Sequence, residues 1–368
     1  MADSASLSAD ERIKTESVVT RLMKRPELGA IGGVILVTIF FMVTASPAMF
    51  TLAGIMNFMT PAAQLGILGI AAAMLMIGGE FDLSIGSMVA FAGMIFGVLV
   101  VNMDLPLILA IPMTFVFAGL VGAANGMIVL RTGLPSFIVT LAFLFILRGA
   151  SLVGLKVFTG GATQLRGVRD AVAGDWLAPI FSGHAFGGLF RWMAEQGWIA
   201  TLASGAPAVP GVPVSILWFV GFAALATFVL LRTPAGNWIF ATGGDRVAAS
   251  NSGVPVRRVK ISLFMLTACA AALVAIITVI DTGSTDARRG FMKEFEAIIA
   301  AVIGGCLLTG GYGSAIGAFF GAIIFGMVTI GLTYTGFDQD WFQVFLGAML
   351  LLAVVFNNAI RKRVTGER

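Results

Sequence analysis

The sequence predicts an all-α integral membrane protein with about ten transmembrane helices and both termini cytoplasmic. Three observations lead there. Hydrophobic residues make up 58% of the 368-residue chain and charged residues only 11%, against the roughly 25% charged residues usual in soluble domains. Apolar runs close to bilayer length recur along almost the whole chain. Lysine and arginine fall unevenly on the segments that join those runs. A typical soluble enzyme, a disordered chain and a nucleic-acid binder are excluded by this composition, and the net charge of +4 does not point to a nucleic-acid partner. A β-barrel would show short alternating segments, whereas these runs are continuous.

In chain order, residues 1–28 are polar and carry Arg12, Lys14, Arg21, Lys24 and Arg25. They read as a cytoplasmic tail ahead of a true span, because a secretory leader has a shorter basic region and a shorter apolar core. A single transmembrane domain is expected over 29–360, followed by a cytoplasmic tail at 361–368. Apolar runs lie at about 30–49, 63–79, 86–103, 105–130, 136–158, 213–231, 259–280, 295–309, 314–336 and 341–359. The runs at 63–79 and 295–309 are short and end in Gly78-Gly79 and Gly304-Gly305. Membrane helices break at such places, where protein or water surrounds the break. With the N-terminus inside, fifteen of the 23 Lys and Arg fall on inside segments and seven outside, with Arg148 alone in a span. That asymmetry sets the orientation.

Two connecting stretches are long. The outer one, 159–212, contains Trp176, Trp192 and Trp198, residues suited to a membrane interface. The inner one, 232–260, contains the clearest local signal. Gly243-Gly244 breaks the chain, Asp245 caps a helix N-terminus, Arg246 to Ser252 form two turns, and Gly253 closes them in a left-handed conformation. Pro255 prevents continuation. A helix this short is costly to nucleate alone. It is either an ordinary surface helix or one that a docking partner stabilises.

A second signal is Glu80-Phe81-Asp82-Leu83-Ser84-Ile85-Gly86-Ser87 between two spans. Its carboxylates either line a polar passage at the inner interface or satisfy the free N–H groups that open the following helix. Arg148 must face protein or water, with Asp82 or Asp281 as candidate partners. Leu134-Pro135-Ser136-Phe137 fits an inner turn and helix start, and Asn125-Gly126 places an amide inside a span. That amide needs a partner, whether it serves helix packing or lines a pathway. Ile77-Gly-Gly followed by Gly86-Ser87 is echoed by Ile303-Gly-Gly followed by Gly313-Ser314, either as an internal repeat or by chance.

Cys269 and Cys306 lie in apolar runs and read as small core residues. No lysine follows a glycine, so the chain has no phosphate-binding loop. His184 is the only histidine, which leaves no catalytic triad and no multi-histidine metal site. We expect no enzyme activity, no metal and no cofactor in this chain.

These motifs together resemble the permease subunit of bacterial ABC importers for simple sugars, the ribose/xylose/arabinose/galactose class. The matching text is Gly79-Glu-Phe-Asp82-Leu-Ser84-Ile-Gly86-Ser87; Ala124-Asn125-Gly126; Leu134-Pro-Ser-Phe137-Ile-Val-Thr140 with Arg148-Gly149; Gly243 to Lys260; and Glu296 to Gly305 through Gly310-Gly311-Tyr-Gly313-Ser314. It covers nearly the whole chain from about residue 50, and its specificity lies in order and spacing. The resemblance implies a multi-pass protein of the bacterial inner membrane, paired with a second permease copy. It implies a periplasmic sugar-binding protein that delivers cargo and cytoplasmic subunits that bind the ATP. ATPase coupling then falls to Gly244, Asp245, Arg246, Ala248, Ala249, Ser252 and Gly253. The substrate pathway falls to Glu80, Asp82, Ser84, Ser87, Asn125, Phe137, Thr140 and Arg148. The outer stretch is longer than in ribose members of the class, and Glu80-Phe81 replaces a pair that is often uncharged. Pentose, hexose and polyol all remain admissible. A branched-chain amino-acid permease and an ATP-independent secondary transporter are the alternatives; the latter would need coupling groups mid-membrane.

Overall fold

The computed structural model describes residues 26–338 and 340–365. The basic N-terminal tail and Arg368 lie outside them, as do the side chains of Arg361, Lys362 and Arg363, so the tail charges behind the expected orientation are not described. Every apolar run is helical. The spans are α1 (Pro26–Thr44), α2 (Leu52–Ile77), α3 (Ile85–Gly97, continued by a π-helical turn Val98–Asn102), α4 (Leu107–Thr132) and α5 (Ser136–Thr159). After the long connection come α6 (Gly187–Glu195) within it, α7 (Val214–Arg232), α8 (Pro234–Gly244), α9 (Arg246–Asn251), α10 (Val256–Thr282), α11 (Lys293–Ile303), α12 (Ala315–Thr335) and α13 (Trp341–Thr365). Among the described residues, eight helices are long and apolar enough to cross a membrane. Two runs differ from the rest: α11 has 11 residues, and the apolar part of α13 covers Trp341–Leu352. The expected tail boundaries fall inside helices, since α1 starts at Pro26 and α13 runs to Thr365.

The run at 63–79 is not short. Its helix starts at Leu52, where Thr51 accepts from Gly54 N at 3.2 Å, and it continues through Pro61. Helix-breaking residues are tolerated in spans where neighbours re-satisfy the freed backbone groups. This helix is buried along most of its length and packs against α7, α10, α11 and α12. Helix α10 is its counterpart, held between α2, α3 and α4. By contrast, α1 and α5 turn large apolar side chains outward, as lipid-facing helices must.

The helix ends sort onto two faces. At one face, α8 and α9 meet the end of α2 and the approach to α12. Gly311 N donates to Ile77 O at 2.9 Å there, and a Cβ on Gly243 would fall 1.8 Å from the same oxygen. Residues 160–212 cover the opposite face. Their strand β1 (Gln164–Arg166) pairs antiparallel with β2 (Ser284–Asp286). Helix α6 seats Phe190 and Ala194 over Leu52 and Met56 of α2. Trp176, Trp192 and Trp198 stand exposed on this side.

The echo between the two Gly-Gly sites is real at the level of the turn. Gly78 (φ −71°, ψ 1°) and Gly79 (φ 79°) end α2; Gly304 (φ −67°, ψ −1°) and Gly305 (φ 88°) end α11. The hydrogen bonds match as well. Gly78 N, Gly79 N and Glu80 N reach Met74 O, Met76 O and Leu75 O; Gly304 N, Gly305 N and Cys306 N reach Ala300 O, Val302 O and Ala301 O. A positive φ at the second position is what a glycine supplies without strain. Beyond the turn the copies diverge, because α3 resumes at Ile85 and α12 only at Ala315.

Candidate functional site

Polar chemistry gathers at three places. The first is the extended linker 79–84 between α2 and α3. Glu80 forms an ion pair with Lys260 of α10, and both are buried. Phe81 N donates to Ser136 Oγ and Leu83 N to Thr140 Oγ1, each at 3.0 Å, so the first turn of α5 takes over two linker amides. Asp82 Oδ1 accepts from Ser84 N (2.8 Å) and Ser84 Oγ (2.6 Å), and Thr267 Oγ1 of α10 donates to Asp82 Oδ2 (2.6 Å). Asn125 Nδ2 of α4 completes the set by donating to Ser84 Oγ at 3.0 Å. Asp82 thus closes a turn ahead of α3 and does not cap the helix itself, and Ser84 makes no side-chain cap. Ser87 Oγ and Asn125 Oδ1 are buried without a partner.

The linker also corrects an expectation about depth. Lys260 lies one turn into α10, about 6 Å from Val256, but Thr267 lies about 16 Å in at 1.5 Å per residue. Glu80 therefore sits near the α9 face and Asp82 well inside the membrane. An extended chain rises about 3.3 Å per residue, so two residues plus their side chains cover that climb.

The second place is the opening of α11. Arg148 pairs with neither Asp82 nor Asp281. Its Nη2 donates to Glu294 Oε1 at 3.3 Å, and its guanidinium lies 5.0 Å from the centre of the Phe291 ring. Arg288 reaches the same ring at 5.6 Å. Lys293 and Glu296 form a second ion pair one turn along. Segment 287–292 runs against α3 so closely that a Cβ on Gly290 would meet Gly86 O at 2.2 Å, and one on Gly86 would meet Glu294 Oε2 at 2.0 Å. Glycine at both sites permits the approach. The sequence pattern had assigned Arg288, Arg289 and Lys293 to an outer loop. The short run ending in Gly304-Gly305 carries the consequence: an 11-residue helix cannot span alone, so the residues before it must enter the membrane.

The third place is α9. Asp245 Oδ1 accepts from Val247 N (2.8 Å) and Ala248 N (3.0 Å), as its position predicts. Gly253 has φ 84°. Gly243 and Gly244 do not break the chain, however; they finish α8, a helix that Thr233 caps by accepting from Gly236 N and that Pro234 opens. The break comes at Asp245, whose backbone is extended. Ala249 points inward, while Gly244, Asp245, Arg246, Ala248, Ser252 and Gly253 are exposed. Beside α9 lies a groove of about 600 Å³ lined by Arg131, Arg246, Arg257, Val247, Ser250 and Asn251, among others. Among the described residues no group of His, Cys, Asp and Glu could hold a metal ion.

Comparison with known proteins sets these features in context. A family model described as branched-chain amino acid transport system / permease component matches residues 54–354. The xylose transport system permease protein XylH of Escherichia coli K12 is 31% identical over 364 residues, covering 90% of this chain and 92% of the relative. The ribose import permease protein RbsC of the same strain is 29% identical, covering 88% and 91%. A probable ABC transporter permease protein, YphD of that strain, is 30% identical over 98% of both chains. No solved structure matches.

Proposed function

This chain belongs to the family of branched-chain amino acid transport system permease components, and from that premise we propose that it is the membrane-spanning permease subunit of an ATP-driven importer for a monosaccharide or related polyol. The relatives named for xylose and ribose support a sugar over a branched-chain amino acid. The protein is a multi-pass protein of the inner membrane, and its partners include ATPase subunits and a binding protein. The chain itself carries no cofactor; ATP is bound by the partner subunits. A second copy completes the pore.

One observation carries the coupling role. Helix α9 has six residues, caps itself through Asp245, and presents Arg246, Val247, Ala248 and Ser250 outward beside a basic groove. A helix this short has little stability of its own, so its exposed face is suited to insertion into an ATPase subunit. Movement there would pass through α8 to Gly243, which touches the first Gly-Gly turn at Ile77 and Gly79 and the segment beyond the second at Gly310 and Gly311. Of the pathway residues, Arg148 and Phe137 lie on accessible faces. Glu80, Asp82, Ser84, Ser87, Asn125 and Thr140 stand behind them, where they hold the start of α3 in place.

The test is co-purification from detergent with the neighbouring open reading frames co-expressed. An ATPase should be recovered with the unsubstituted chain. Asp245→Arg and Arg246→Glu should each abolish ATP-dependent uptake while membrane abundance stays unchanged. Recovery of the chain alone, with uptake driven by an ion gradient, would instead establish a secondary transporter.

A further inference from the structure

Arg148 is 12 residues from Ser136 and 11 from Thr159, which places it about 18 and 16 Å from the two ends of α5 at 1.5 Å per residue. The contact of Gly290 with Gly86 gives an independent gauge. Gly86 lies 16 residues before Asn102, about 24 Å below the end of that span. Residues 287–292 are therefore deep in the membrane, and their backbone is irregular. Bare backbone of this kind is stable at that depth only against protein or a water-filled cavity. Yet Phe291 is 49% exposed, Phe295 43%, and the Arg148 side chain 33%. A guanidinium open to the side at mid-membrane does not face lipid, because charged groups there cost several kcal/mol or more. This face is wet.

Resting on the importer function proposed above, we infer that Phe291, flanked by Arg148 and Arg288, is the subsite on which a neutral sugar rests midway through the membrane. The chemistry fits that cargo. A sugar ring offers an apolar C–H face and a rim of hydroxyls, and an aromatic ring between hydrogen-bonding groups matches both. Arg148 has five N–H donors and uses one of them on Glu294. The Arg288 guanidinium makes no hydrogen bond among the described residues, and it lies over the same ring, 5.6 Å from its centre. Most of the charge is already balanced in pairs: Arg148 with Glu294, Lys293 with Glu296, Arg289 with Asp286. Paired ions donate and accept hydrogen bonds without demanding a charged cargo. Glu294 acts here as a positioning residue, since it holds the Arg148 guanidinium beside the ring.

The experiment is cysteine accessibility in the assembled complex in membranes. Phe291→Cys, and Phe295→Cys as a second site, are reacted with a membrane-impermeant cationic thiosulfonate. Leu225→Cys, at mid-depth on α7 and exposed, is the lipid-facing control. Phe291→Cys or Phe295→Cys should label at least about tenfold faster than the control if the face is hydrated. One of D-xylose, D-ribose or myo-inositol in excess should slow that labelling about threefold or more. Labelling no faster than the control at both sites means that lipid or a second copy seals this face, and the proposal fails. Fast labelling that none of the three compounds slows leaves a wet face with no sugar subsite, and the proposal fails in that way too. Failure of the importer function shows separately, as absent ATP-dependent uptake by the unsubstituted complex.

Discussion

The turn at Gly78-Gly79 and the turn at Gly304-Gly305 share one backbone conformation but are fastened in opposite ways. Behind the first, side chains do the fastening: Glu80 to Lys260, Asp82 to Thr267, and two linker amides to Ser136 and Thr140. Behind the second, glycine backbone makes the contacts on α2: Gly311 N bonds Ile77 O, Gly310 lies against Gly79, and Gly313 packs on the Ile77 side chain. Charged and hydrogen-bonded side chains fix one arrangement, because a broken pair leaves a buried charge. Bare glycine surfaces have no such register, and small residues let backbones approach and slide. The first turn is thus built as an anchor, and the second rests on a glycine surface suited to a bearing.

The comparison breaks most severely where the first turn meets the segment that follows the second. Gly243→Ala would drive a methyl into Ile77 O at 1.8 Å and Gly311 N at 2.7 Å. Backbone cannot yield as a side chain can, so we expect a loss at or beyond the upper end of the usual overpacking cost of about 1–3 kcal/mol. Little monodisperse protein should elute in size-exclusion chromatography. The neighbouring Gly244→Ala, with nothing within 4 Å, should behave as the unsubstituted chain.

A smaller effect sharpens the anchor. Glu80→Ala leaves Lys260 buried without its carboxylate, and breaking such a pair costs about 3–5 kcal/mol. The midpoint of thermal unfolding in detergent should fall by many degrees. Replacing both partners, Glu80→Met with Lys260→Met, should recover most of it, and a double variant as unstable as the single one would show that the pair is not the anchor.

The smallest effect tests the bearing. Ser314 caps α12 by accepting from Gly317 N at 3.3 Å and donates to Glu27 Oε1 of α1 at 2.8 Å. Ser314→Ala should cost about 1 kcal/mol, the usual value of a lost cap. A shift as large as that of Glu80→Ala would mean that the second turn is bolted too.

Much of this architecture was legible in the sequence, and the gaps have physical causes. Apolar runs announce helices because a bilayer forces each segment to satisfy its own backbone. The cap at Asp245 and the turn at Gly253 are local, so spacing alone reveals them. The start of α2 was masked by Asn57, Thr60 and Pro61, which look like loop chemistry but lie within a helix. Helix α8 was hidden because its last two residues are glycines. Partner choice was not legible at all. Arg148 and Glu294 are 146 residues apart, Glu80 and Lys260 180, and a linear pattern contains no information about which buried charges meet. Lys260 closes a motif without any sign of its partner and Thr267 lies outside every motif; only the buried carboxylates opposite them reveal their part.

Helix α11 also constrains how the chain is made. Eleven residues, preceded by irregular backbone with Arg288, Arg289 and Lys293, do not partition into lipid as they leave the ribosome and the insertion machinery. Their place exists only once α3 offers its glycine face and α2 and α12 stand beside them. Segment 284–303 is therefore expected to thread late, after the helix that follows it in the chain. A nascent chain halted before α12 should still expose this segment to protease, and a complete one should protect it.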